Sequence, residues 1–166
     1  MTNDVIKEAV ARQQSGDKKA SAEKRILGKV MTFYVGEQVY GVEINDVVEI
    51  IEVPQITKVP SLPSYIKGII NVRSKVVPVI DIRLRFGKEE IPYTSRTCTI
   101  ILSRDDISVG VIVDSVADVE DIFANDITAT PDNRSVNTNA FIQYMIRSGE
   151  NVKLILDVEK LLNDEV

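Results

Sequence analysis

Histidine is absent from this sequence of 166 residues, which limits the chemistry that the chain can perform. Histidine is the commonest general base and metal ligand, so neither a Ser-His-Asp nor a Cys-His arrangement can form within the chain. Cys98 is the single cysteine, and a Cys/His zinc site is excluded by the same count. No glycine-rich phosphate-binding loop is present. These residue types favour binding over catalysis, and we expect no catalytic residue, no cofactor and no metal.

Carboxylates are the remaining candidates for chemistry, and seven of them lie within 22 positions. They are Asp105, Asp106, Asp114, Asp118, Glu120, Asp121 and Asp126. Oxygen-rich clusters can bind calcium or magnesium, but the Asx spacing and central glycine of a calcium loop are missing here. We therefore interpret the acidic residues as a solvated face, and a magnesium-dependent or acid-catalysed enzyme is the alternative from a different class.

Residues 66–87 predict a β-hairpin followed by a short helix, and this stretch is the most informative in the chain. Two β-branched runs flank a polar turn that contains Arg73. Asp81 then opens a segment that ends at Gly87, which is typical of a capped helix, although a lone catalytic acid is the alternative for Asp81. Arg73 at a rigid hairpin tip suits docking onto another protein, with a solvated turn residue as the alternative.

An acidic side chain within an apolar run suggests a second contact region at residues 47–53. Glu49 is flanked by valine and isoleucine on both sides. The β-branched content favours a strand over a helix. Glu49 either alternates outward without a partner or belongs to an apolar docking strip together with its neighbours Val47, Val48, Ile50 and Ile51.

These residues must be positioned by an all-β framework with a short C-terminal helix. The pattern of β-branched runs and turns predicts nine or ten short strands, at a spacing that indicates barrels rather than a parallel sheet. Asp157 is expected to cap a closing helix over residues 158–163. Residues 124–140 are polar and predict a loop, and residues 1–27 predict a flexible tail with one weak helical stripe.

Composition and charge describe a globular protein with an acidic body. Hydrophobic residues make up 44% of the chain and charged residues 27%. Residues 1–29 carry seven Lys/Arg against four Asp/Glu, whereas residues 30–166 carry thirteen against twenty-one. The acidic body disfavours nucleic acid as a partner. No apolar run approaches 18 residues and no secretory signal is recognisable, so we expect a cytoplasmic protein without direct membrane insertion.

Several motifs together resemble the chemotaxis coupling protein family known as CheW. The stretch Ile66–Arg73 is similar to the family's "IKG-x-x-N-L-R-G" signature, and Pro78–Arg83 continues it. Phe33–Gly36 followed by Tyr40–Val42 resembles the family's first hairpin, and Leu154–Leu162 matches a late signature. The likeness covers nearly the whole body of the chain from about residue 30 to residue 162.

The resemblance implies a fold and a task without enzymatic activity. The fold would be two SH3-like five-stranded β-barrel subdomains that share a core, with a CheW-like domain at residues 28–166. Proteins of this family bridge the cytoplasmic tips of methyl-accepting chemoreceptors and the regulatory domain of the histidine kinase CheA, in receptor arrays at the inner membrane. The same-fold alternative is a regulatory module of a kinase, or a coupling variant in another two-component pathway.

The resemblance also implies contact residues on two parts of the surface. Val47, Glu49 and Ile50 would face the kinase or the receptor. The positions that the family uses for receptor contact or its support are Lys67, Gly68, Arg73 and Val116. Ser74 stands where the family usually has glycine, so a different hairpin tip is expected, because serine resists a positive φ more than glycine does.

Overall fold

A computed structural model describes residue 6 and residues 25–129 and 140–162 of the chain. The predicted tail at residues 1–27 and much of the predicted loop at 124–140 therefore lie outside the described residues. Two described parts bear on the tail: the first strand begins at Ile26, and Ile6 is helical and fully buried.

The described residues form eleven strands, so the mainly β class is confirmed. In chain order they are β1 Ile26–Val35, β2 Gln38–Glu43, β3 Val47–Glu52, β4 Ile66–Val72, β5 Lys75–Asp81, β6 Cys98–Arg104, β7 Ile107–Val113, β8 Ser115–Phe123, β9 Ile127–Thr128, β10 Ile142–Ser148 and β11 Asn151–Leu156. The prediction of a plain loop after residue 124 was wrong at β9, whose two residues pair with β10. A strand this short leaves no alternating pattern in the sequence to detect.

The strands form two sheets that divide the chain unevenly. The first sheet has the order β8-β1-β2-β11-β10-β9, and the second sheet has the order β3-β6-β7-β5-β4. The second sheet has the five strands expected, whereas the first has six, because β9 adds a short edge. Pairing is antiparallel throughout, except that β11 runs parallel to β2 and β5 runs parallel to β7.

The described elements that follow the strands include two short helices and two 3-10 turns. Helix α1 spans Ile82–Arg85, and the Asp81 carboxylate accepts a hydrogen bond from the Arg83 backbone N–H at 2.9 Å. The predicted cap at Asp81 is thereby confirmed. Helix α2 spans Val158–Leu162, close to the predicted closing helix. One 3-10 turn, Ile44–Asp46, leads directly into β3.

A short backbone bridge joins the segment after β3 to strand β4. Thr57 and Ile69 exchange two hydrogen bonds of 2.9 Å each. Gly68 permits this approach, because a Cβ atom at this position would lie 2.2 Å from the Thr57 carbonyl oxygen. Gly68 also has a φ of +148°, a backbone conformation that residues other than glycine rarely adopt. The bridge thus brings the two edges of the second sheet toward each other.

One apolar core is shared by both sheets, as the family resemblance implied. Phe33 and Tyr40 of the first sheet pack in the same cluster as Ile100 and Leu102 of the second. A separate first-sheet core consists of Ile6, Val30, Ile122, Ile127, Tyr144, Ile146 and Ile155. Burial of these aliphatic and aromatic side chains is the main favourable term in the folding free energy.

Among the described residues, the model contains no helix with the length and hydrophobicity that a membrane crossing requires.

Candidate docking surfaces

Strand β3 is an edge strand of the second sheet, and it presents apolar side chains to solvent. It pairs with β6 along one side only. Val48 is 47% exposed and Ile50 is 40% exposed. Because successive residues of a strand point to opposite faces, the side chains of Val48 and Ile50 share one face. An apolar edge of this kind is a typical site of protein association.

The other residues predicted on β3 are less accessible. Val47 is partly buried and packs against the shared core. Glu49 has a side chain that is 28% exposed. A register shift between these two residues, typical of a β-bulge, sets Val47 opposite Leu102 and Glu49 opposite Ile101. Of the three predicted contact residues on this strand, Ile50 is therefore the most exposed.

The β4–β5 hairpin turns through two residues in a left-handed conformation. Arg73 has a φ of 51° and Ser74 a φ of 67°, and the flanking Val72 and Lys75 pair with each other. Two positive φ values in a two-residue loop are typical of a type I′ turn, whose twist matches that of the strands. Ser74 thus adopts the conformation for which glycine is better suited. The turn projects Arg73, whose side chain is 76% exposed.

An ion pair joins the hairpin tip to strand β3. Arg73 Nε lies 3.6 Å from Glu49 Oε1. The pair is open to solvent, so its contribution to folding stability is small, in the range of about 0–1 kcal/mol. Its structural consequence is that two predicted contact residues, 24 positions apart in the chain, lie at one place on the surface.

Lys67 and Gly68 lie at the opposite end of strand β4 from this ion pair. Lys67 is six positions from Arg73, a distance of about 20 Å along a strand. The Lys67 ammonium forms an ion pair with Glu90 on the loop that follows α1. Gly68 is buried beneath Thr57, so it can support a surface but cannot itself be contacted by a partner.

Val116 lies on strand β8 of the first sheet, whereas the ion pair joins two parts of the second sheet. It is partly buried, packs against the shared core and pairs with Phe33. It also lines a surface cavity of about 650 Å³, together with Tyr34 and Asp118. The predicted contact residues therefore fall into three places: the β3 edge with the hairpin tip, the start of β4, and the β8 cavity.

An arginine at the junction of the sheets fixes the start of β3. Arg104, at the end of β6, binds the Asp46 carboxylate through two hydrogen bonds of 2.6 and 3.1 Å. Asp46 directly precedes Val47, and a second carboxylate, Asp157, lies 3.9 Å from the same guanidinium. Glu43 lies close to this group, and burial raises its pKa, while attraction to Arg104 partly opposes that rise. The network therefore positions the first residue of the apolar edge.

The acidic residues between 105 and 126 do not converge on one place. Arg83 forms a bidentate ion pair with Asp114, and this contact, with a hydrogen bond from the Gly36 N–H, lowers the pKa of the Asp114 carboxyl. Asp121 pairs with Lys29 at 2.7 Å, and Glu120 pairs with Lys153. In the described part of the chain, no three Cys, Asp or Glu side chains come together as metal ligands would.

Sequence reasoning left two features of these surfaces undetected. They are the Glu49–Arg73 ion pair and the Arg104–Asp46 ion pair, which left no trace in the sequence. Both depend on strand pairing between distant segments, and no periodic pattern encodes such a contact.

Two small sheets around a shared core, with an apolar edge strand joined to a cationic hairpin tip, define a scaffold suited to protein binding. The chain belongs to the CheW-like domain family, whose model matches residues 29–166.

Two curated relatives and one solved structure illustrate this membership. The chain is 33% identical over 135 residues to the chemotaxis protein CheW of Klebsiella aerogenes, with 81% of each protein covered. It is 32% identical over 145 residues to the chemotaxis protein CheW of Bacillus subtilis, covering 87% of this chain and 93% of that protein. The crystal structure of the scaffolding protein TtCheW from Thermoanaerobacter tengcongensis matches with a TM-score of 0.75 and 34% identity, over 81% of this chain and 91% of that one.

Proposed function

We propose that this protein is a non-catalytic chemotaxis adaptor that bridges the histidine kinase CheA and the cytoplasmic tips of methyl-accepting chemoreceptors. In this role it makes kinase activity depend on receptor state, and it acts in the cytoplasm within receptor arrays at the inner membrane. Membership of the CheW-like family supports the proposal, as do relatives named as chemotaxis and scaffolding proteins. The single observation that carries it at the level of residues is the apolar β3 edge, joined to Arg73 through Glu49.

The proposed contacts divide into residues that touch a partner and residues that support them. Ile50 and Glu49 contact the kinase or the receptor, and Arg73 contacts the receptor. Val47 and Gly68 act as supports, since the first packs inward and the second is buried.

Lys67 and Val116 contribute to receptor contact from separate places, the start of β4 and the β8 cavity. Both side chains are partly exposed, and each lies near a charged neighbour: Glu90 pairs with Lys67, and Asp118 lines the same cavity as Val116.

Affinity and specificity come from different parts of the β3 surface. Val48 and Ile50 provide apolar area, which supplies most of the binding free energy when it is removed from water. Charged groups at the rim mainly affect register and association rate. Such an interface is modest in size and reversible, as a signalling bridge requires.

Binding of purified kinase and receptor fragments to the full chain tests the proposal. Arg73→Glu is expected to weaken receptor binding about tenfold, because it removes an exposed cation and places a second anion beside Glu49. Arg147→Glu is the matched control, since this arginine is exposed on β10 of the other sheet. Glu49→Lys is expected to lower kinase affinity at low salt.

The charge-swapped double variant Glu49→Arg/Arg73→Glu separates an internal role from a contact role. It restores an ion pair at the same place but reverses both charges toward a partner. Restored binding would assign the pair to internal structure and remove both residues from the contact surface. Failure of the wild-type protein to bind either partner, or turnover of a substrate by the purified protein alone, would overturn the proposed function.

A further inference from the structure

Ile6 is a helical residue far from the first strand in sequence, yet its side chain is 0% exposed. It belongs to the stripe Val5, Ile6, Ala9 and Val10, which the sequence marks as the apolar side of a weak helix. None of the eleven described strands contains it. Its burial therefore depends on side-chain packing and receives no support from a sheet ladder.

The side chain of Ile6 completes the first-sheet core. That cluster contains six other buried residues, each less than 7% exposed and each from a strand of the first sheet: Val30, Ile122, Ile127, Tyr144, Ile146 and Ile155. Five of the seven members are isoleucines. Ile6 is thus an aliphatic side chain, supplied from outside the sheet, that fills a site formed by five different strands.

The covalent connection does not force Ile6 into this site. Residues 7–24 separate it from the described body, and 18 residues can span up to about 60 Å when extended. The connection does keep the segment near its site, because covalent tethering raises the effective concentration of one part of a chain around another. A site of this kind can be filled by the chain's own segment and can also be vacated.

We propose that the first-sheet core ends in a docking site for an amphipathic helix, and that the segment carrying Ile6 occupies it reversibly in the same molecule. The site accepts an aliphatic side chain from a helix and offers it apolar contacts on several sides. This inference does not depend on the proposed adaptor role, because the site lies in the first sheet and includes none of the β3 or hairpin residues.

The first test compares the stability of full-length variants. Ile6→Asp is expected to fold, with a melting temperature lowered by about 5–10 °C, because the segment leaves and only its packing is lost. Ile155→Asp, which buries a charge in a sheet strand of the same core, is expected not to fold. Ile107→Asp is the matched exposed control, since this isoleucine is 40% exposed, and should melt within about 2 °C of the wild type.

The second test adds the segment back from outside. A fluorescein-labelled peptide of residues 1–20 should bind the Ile6→Asp protein saturably and at least tenfold more tightly than the wild type, whose site is already filled. The same peptide with Ile6→Asp should not bind. Fluorescence anisotropy measures both affinities.

Four results would overturn the inference. Failure of the Ile6→Asp protein to fold would make Ile6 an integral part of the core, and an unchanged melting temperature would show that it does not dock. Absence of peptide binding to the folded Ile6→Asp protein would remove the site. Dimeric wild-type protein that becomes monomeric on Ile6→Asp substitution, in size-exclusion chromatography with light scattering, would assign the occupant to a second copy.

Discussion

The edge strands β3 and β8 differ in the exposed side chains that they present to solvent. On β8 the exposed Val119 lies between Asp118 and Glu120, and two acidic residues of the strand form ion pairs with lysines, Asp121 with Lys29 of β1 and Glu120 with Lys153 of β11. On β3 the exposed positions include Val48 and Ile50, with no lysine paired to the strand among the described ion pairs. Charged side chains discourage association at a sheet edge, whereas an apolar edge favours it. The contrast indicates that charged groups at β8 disfavour association with the first sheet, whereas the apolar β3 edge of the second sheet favours it.

The largest expected effect concerns the backbone bridge between the segment after β3 and strand β4. Gly68→Ala should lower the free energy of unfolding by about 3 kcal/mol or more, because the new Cβ meets the Thr57 backbone and the residue has a positive φ. Gly149→Ala is the control: its φ is +61°, but nothing lies within 4 Å of the added atom, so a loss of about 1 kcal/mol is expected. Urea unfolding measures both, and equal losses would show that the bridge adds nothing.

A direct test of the contrast replaces one valine on each edge. Val48 and Val119 are both 47% exposed, so Val48→Lys and Val119→Lys are matched in area and charge. Val48→Lys should weaken kinase or receptor binding about tenfold, equivalent to about 1.4 kcal/mol, whereas Val119→Lys should leave it unchanged. Both variants should keep the wild-type melting temperature within a few degrees. Equal binding by the two variants would end the assignment of β3 as the docking edge.

The junction between the sheets should respond to pH in a defined direction. The pKa of Glu43 is raised, so its contribution to stability is complete below the unfolded pKa of about 4.3 and is lost as pH rises through the folded pKa. The Glu43→Gln side chain cannot ionise beside Asp46 and Asp157. The free energy of unfolding of this variant, relative to that of the wild type, should therefore increase by about 1 kcal/mol as the pH is raised from 4 to 8. Urea unfolding across this range measures the change.

Asp114→Asn provides the opposite sign as a control. The pKa of Asp114 is lowered by Arg83, so its contribution is present above the unfolded pKa of about 3.9 and is lost as pH falls through the folded pKa. The variant should therefore be less stable than wild type at pH 7 and approach it near pH 3. Parallel pH profiles for the two variants would contradict the assigned environments.

The smallest expected effect sharpens the geometry of the hairpin tip. Ser74→Gly should raise the free energy of unfolding by about 0.5–1 kcal/mol, because glycine adopts the observed φ of 67° without steric strain. Thermal unfolding measures the gain, and receptor binding should stay at the wild-type level because Arg73 is unchanged. A loss of stability would mean that the serine hydroxyl contributes more than the relief of strain.

Local features of this fold could be predicted from the sequence. The β4–β5 hairpin, the Asp81 cap and the helix that starts at Val158 each depend on residues a few positions apart. Turn residues, capping carboxylates and β-branched runs act over such distances, so their patterns are readable without a structure.

Features that join distant segments could not be predicted. The parallel pairing of β2 with β11 connects Val39 to Lys153, and no local pattern specifies it. Arg104 is 58 residues from Asp46, its carboxylate partner. Glu49 was selected for its apolar surroundings, but its ion pair with Arg73 required the β3 edge and the β4–β5 hairpin tip to lie side by side in the folded protein. The sequence therefore indicated which residues to examine, and the fold decided which of them meet.

The division of the chain between the sheets has a consequence for biosynthesis. All five strands of the second sheet lie between residues 47 and 113, whereas the first sheet needs β11, which ends at residue 156. The second sheet can therefore form on the ribosome while β1 and β2 still await their late neighbours. Loop closure over more than 100 residues is slow. Strand β2 therefore stays exposed in the nascent chain until β11 pairs with it, and chaperones would act during this interval.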